Sequence, residues 1–93
     1  MSVTEVRWNR RAILDVASIH AHVADHNPKA ADDLRRLIYR RTDDLAHFPL
    51  AHRQGRLPGT REMVLHPNYI LIYRLSGEVI TILRVLHSAR NWP

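Results

Sequence analysis

Apolar residues recur along this chain with two different periods, and the change of period divides it. Between Val3 and Trp8, Thr4, Val6 and Trp8 fall on one side and Val3, Glu5 and Arg7 on the other, the alternation of a half-buried strand. Ile13, Val16, Ala17, His20, Val23 and Ala24 then return at three- and four-residue steps, which predicts a helix starting between Asn9 and Ala12. Asn27-Pro28 restarts the pattern, since asparagine caps a helix and proline is tolerated at its first position. Ala31, Leu34, Leu37, Ile38, Leu45 and Phe48 form the second stripe, which Pro49 ends.

The second half reads differently. Arg61–His66, Tyr69–Leu75 and Val79–His87 are rich in valine, isoleucine, leucine and tyrosine, and Pro67-Asn68 and Ser76-Gly77 separate them as turn pairs. Two amphipathic helices with so short a break must fold back as a hairpin, and each has one apolar face to hide against a sheet. The expected fold is α+β: an N-terminal strand, a two-helix hairpin and a three-stranded antiparallel meander, with the helices on one face of a small sheet. The other sheet face and a groove beside the helices are expected to stay uncovered. Leu50–Thr60, with Gly55, Pro58 and Gly59, is the longest irregular stretch and a natural place for function.

At 93 residues the chain fits a single domain spanning 1–93, burying only about 60–65% of its unfolded surface. It has no cysteine, so neither a disulfide framework nor a thiolate metal site is available. No apolar run reaches the length of a signal core or a membrane span, and a cytoplasmic protein with no membrane association is expected. Charge is uneven. Residues 1–46 carry eight basic and seven acidic side chains, whereas residues 47–93 carry six arginines against Glu62 and Glu78, a balance of 6 − 2 = +4. A polyanionic partner, either nucleic acid or an acidic protein segment, follows from that asymmetry.

His22 and His26 share a helix face, but no glutamate completes an H-E-x-x-H pattern, and no metal is expected. Gly55, Gly59 and Gly77 lack the spacing of a phosphate-binding loop, so no nucleotide cofactor is expected either. What remains is a cationic set on the meander and its approach loop. Metal-free cleavage of RNA needs a base for the 2′-hydroxyl proton, cations for the pentacoordinate phosphate and an acid for the leaving oxygen. His87 is the candidate proton shuttle, with Arg61 and Arg84 as candidate phosphate clamps. Arg53, Arg56, Arg74 and Arg90 complete the set as candidates for gripping an RNA backbone, although strand-end arginines are often solvated edge residues. Strict alternation puts Arg84 and His87 on opposite faces, so a shared site requires a bulge or an early end to the strand.

The segments PGTREMVLHPNYILIYR and ILRVLHSARNWP, in this order of elements, resemble the RelE/ParE superfamily of toxins from bacterial type II toxin–antitoxin modules. The likeness covers nearly the whole chain. It implies a growth-inhibiting toxin with a helical hairpin on a small antiparallel sheet, held inactive in a hetero-oligomer with an antitoxin encoded beside it. RelE-type members are ribosome-dependent endoribonucleases that cut mRNA with basic residues on the sheet; ParE-type members poison DNA gyrase and lack that set. Arg61 and Arg84 match the arginines of the RNase branch by their positions in the strands, and His87 lies near a histidine found in some of its members. The paired lysines of some RelE-type enzymes are absent from the central loop, where His52, Arg53 and Arg56 stand, and Trp92 occupies the place of a C-terminal tyrosine. The resemblance therefore carries an mRNA endonuclease and, as the alternative, a gyrase poison that acts by binding.

Overall fold

The computed structural model describes residues 3–90 together with residue 92. Strand β1 (Glu5–Trp8) leads into helix α1 (Arg10–Ala24), with only Asn9 between them. The Asn9 side chain accepts the Arg11 amide at 3.1 Å, and Asn27 does the same for Ala30 at 3.1 Å at the start of α2 (Pro28–Leu45). Both helices thus begin at the caps the sequence supplies. Then come β2 (Arg53–Gln54), β3 (Thr60–His66), β4 (Tyr69–Ser76) and β5 (Val79–His87). The strands form one sheet in the order β1-β5-β4-β3-β2, in which β1 runs parallel to β5 and the other pairs are antiparallel. Gly77 adopts φ 59°, as the tight β4–β5 turn demands.

The helices cover one sheet face. Ala12 and Val16 from α1, and Ile38 and Leu45 from α2, pack on Met63, Leu71, Tyr73, Ile80, Ile82 and Val85. The α2 stripe holds as expected from Ala31 to Leu45, but the helix stops there, and Phe48 lies beyond it, exposed. In α1 the phase differs by one residue. Ala12 and Val16 are buried, whereas Ile13 and Ala17 face solvent. One residue is about a 100° rotation of the helix, and the direction in which β1 delivers the chain into α1 decides it. Periodicity alone does not.

The second sheet face is not bare. Ile70, Ile72 and Leu86 are buried there, with Leu83 and Trp92 packed on them as a partial cover. Between Ile82 and Arg84 the ladder with β4 slips: Tyr73 pairs with Ile82 and Ile72 with Arg84, leaving Leu83 as the extra residue of a bulge.

Candidate functional site

Arg84 owes its surroundings to where β1 ends. β1 pairs with β5 only as far as Ile82, and the Asn9 amide bonds the Ile82 carbonyl at 2.9 Å before α1 turns over the sheet. From there α1 takes the place of a neighbouring strand along the rest of β5. The Asp15 carboxylate receives the Val85 amide at 2.9 Å, Arg84 Nε at 2.8 Å and an Arg84 terminal nitrogen at 3.1 Å. Arg84 and Asp15 side chains are only 11% and 14% exposed. Hydrogen bonding to Asp15 holds the guanidinium above its already high ordinary pKa, against the opposing effect of burial. The Trp92 ring lies over it at 5.6 Å. Asp15 therefore neutralises a charge, satisfies a strand-edge amide and fixes the bulge at once.

Arg61 lies across β4 from Arg84, beside Tyr73 on the helix-covered face. A terminal nitrogen donates to the His52 carbonyl at 2.7 Å. The buried Tyr73 hydroxyl donates to the Pro49 carbonyl, and burial raises its pKa, so the proton it donates stays in place. Two side chains from the sheet thus pin the connection between α2 and β3 by its carbonyls. The rest of that connection closes on itself: the Gly55 amide bonds the Thr60 carbonyl at 2.7 Å, and a Cβ at Gly55 would run into the Thr60 hydroxyl. His52 sits among these groups. Burial first, then the charges of Arg41 and Arg61, hold it below the ordinary histidine range.

His87 ends β5 opposite Tyr69, with the two rings edge to face at 5.6 Å. Its Nδ1 accepts the Ala89 amide at 3.1 Å, so a neutral ring carries its hydrogen on Nε2. His87 and Arg90 line a cavity of about 380 Å³ together with Ser18, His22 and Tyr69. Of the other arginines, Arg53 pairs at 3.0 Å with Glu62, which is 4% exposed, and Arg56 donates to the Trp92 carbonyl at 3.1 Å. Arg74 is exposed on β4 beside Gly59.

These placements separate the three residues assigned to RNA cleavage. Arg61 and His87 pair with Tyr73 and Tyr69 respectively, four residues apart along β4, which is about 13 Å, and they stand two strand spacings, about 10 Å, apart across the sheet. Arg84 is opposite Ile72, on the other pleat face from Arg61. The expected bulge exists, but it precedes Arg84, and pairing between Arg84 and His87 is regular, so it does not bring those two together. A phosphate clamp shared by Arg61 and Arg84 is not assembled, because one guanidinium is held by Asp15 and the other faces a different side. Among the described residues, His87 and Arg90 line one cavity together.

Asp15, Glu62 and Tyr73 were not singled out in the sequence for these roles, yet the two carboxylates fix Arg84 and Arg53, and Tyr73 fixes the α2–β3 connection. The available signal was the run Ala12, Asp15, Val16, Ile19, which puts α1's one interior acid at helical spacing among apolar residues.

A helical hairpin on one face of a small, mostly antiparallel sheet is the fold of the RelE/ParE superfamily of toxins. The chain belongs to the ParE toxin family of type II toxin–antitoxin systems (parDE), whose sequence model matches residues 6–92. It is similar to protein Y4kP of Sinorhizobium fredii, at 38% identity over 94 positions covering 100% of this chain and 97% of that one. Toxin RelE2 of Caulobacter vibrioides is 30% identical over 90 positions, covering 95% and 99%. Among solved structures, a chain of the chromosomal ParDE system from P. aeruginosa superposes with a TM-score of 0.79 at 26% identity, covering 89% of this chain and 94% of that one. A chain of the E. coli DinJ-YafQ toxin–antitoxin complex shares the fold, with a TM-score of 0.62 at 18% identity over 90% and 91%.

Proposed function

We propose that this toxin acts as a poison of DNA gyrase, by binding and without cutting RNA, and that a cognate antitoxin neutralises it. The observation that carries the reading is the Asp15–Arg84 pair: the guanidinium best placed by sequence to clamp a phosphate already has a bidentate carboxylate partner. Membership of the ParE family supports the same branch. An antitoxin partner is supported by the ParDE and DinJ-YafQ systems that share the fold, and the +4 balance of residues 47–93 suits an acidic, partly disordered segment. The test is a supercoiling assay with purified gyrase, run beside RNA sequencing after brief induction. Loss of supercoiling with intact messages is the expected result; cut messages with unaffected gyrase would overturn the reading.

One observation favours the RNase alternative, in which the ribosome and mRNA are the partners. His87 and Arg90 open on one cavity, so a proton donor at Nε2 and a phosphate-binding cation stand side by side. Message cleavage abolished by His87→Ala would establish it.

A further inference from the structure

We propose that Phe48 and Leu50 form a rigid apolar knuckle by which this toxin grips an acidic surface of its protein target. The inference rests on the binding reading above and adds the surface through which binding occurs.

Phe48 is 69% and Leu50 52% exposed, an unusual placing for two large apolar side chains separated by one residue. Pro49 between them is buried, and its carbonyl takes the Tyr73 hydroxyl. Three residues further on, Arg61 holds the His52 carbonyl. The knuckle is thus pinned to the sheet at its centre and two residues beyond Leu50, and little ordering cost remains when a partner meets it. Each knob stands beside a recess. Phe48 borders a cavity of about 220 Å³ with Arg41 and Asp44, and Leu50 borders one of about 420 Å³ with Arg61, so the positive charge is concentrated on the Leu50 side. An aromatic anchor, an aliphatic neighbour and flanking guanidiniums are the composition of a protein-binding hot spot.

Charge selects the partner. From Leu45 to Arg61 the chain contains no aspartate or glutamate, while Arg53, Arg56 and Arg61 lie within it. Glu62 neutralises Arg53, and among the described residues Arg56 and Arg61 donate to carbonyls, of Trp92 and His52 respectively. His52, whose pKa is lowered first by burial, is lowered further by the charges of Arg41 and Arg61 beside it. An apolar recess rimmed by carboxylates is the complementary surface.

The test compares Phe48→Ser/Leu50→Ser with wild type in induced cells and in a gyrase supercoiling assay, with Arg56→Glu as an independent charge probe and Ile13→Ser/Leu14→Ser as an exposed apolar control on α1. The expected result is at least a tenfold rise in the inhibitory concentration for the knuckle variant and a smaller rise for Arg56→Glu. The control and all thermal midpoints should stay unchanged. A knuckle variant that arrests growth as wild type does would overturn the inference. If wild type arrests growth without touching gyrase, the target reading fails, and the growth comparison still decides whether the knuckle is used. A variant whose only loss is message cleavage would make the occupant RNA and overturn the assignment to a protein. A wild-type chain that inhibits neither growth nor gyrase would overturn both.

Discussion

Arg61 and Arg84 sit on the two strands that flank β4, one register step apart, and meet opposite surroundings. Arg84 faces an aspartate, a strand-edge amide and an indole, and almost no solvent. Arg61 meets a carbonyl, and its charge is left to act on whatever approaches the α2–β3 connection. A guanidinium in a strand is therefore not by itself evidence of a phosphate site. What matters is whether the fold supplies a carboxylate, and here α1 supplies one where β1 stops.

The contrast predicts very different costs. Asp15→Ala leaves a mostly buried guanidinium unpaired and the Val85 amide without its acceptor, and should cost about 3–5 kcal/mol in chemical denaturation. An effect below about 1 kcal/mol would mean that the pair contributes little to the bulge. Tyr73→Phe removes the hydroxyl that holds Pro49, with an expected loss of about 1–3 kcal/mol and a gain in amide exchange across residues 46–52. Unchanged exchange there would show that the knuckle does not depend on this pin. Arg61→Ala gives up one hydrogen bond to a carbonyl and should cost about 1 kcal/mol, well below Asp15→Ala.

The smallest effect is in pH dependence. His52 has its folded pKa below the ordinary value of 6.5, so on acidification the unfolded chain takes up that proton first. Its contribution to stability is fully present above pH 6.5 and declines as pH falls from 6.5 toward the lowered folded value. His52→Asn should flatten that part of the stability curve relative to wild type; identical slopes would contradict the burial and the Arg41 and Arg61 charges assigned to it.

Much of the architecture was legible because its signals are local. Asn9 and Asn27-Pro28 mark both helix starts, and the turn pairs bound β3, β4 and β5 to within a residue or so. The inward face of α1 was not legible, because a helix is rotated by whatever precedes it, and Ile13 and Ala12 differ by one position. The site was least legible. Asp15 and Arg84 are 69 residues apart in sequence, and their meeting depends on the short length of β1, which no pattern in β5 reports. Likewise Phe48 continues α2's apolar spacing but escapes the core, since the helix ends at Leu45 and Tyr73 holds the following turn by a backbone carbonyl.

The most direct test of the binding account is the growth inhibition produced by the double variant Asp15→Leu/Arg84→Met, scored on protein shown to be folded by its thermal transition. Replacing a buried ion pair by apolar residues of similar size is commonly tolerated. If Arg84 serves only the fold, the folded double variant should arrest growth at wild-type potency. A folded double variant that no longer arrests growth, and from which message cleavage has disappeared, would contradict the account and return Arg84 to the chemistry.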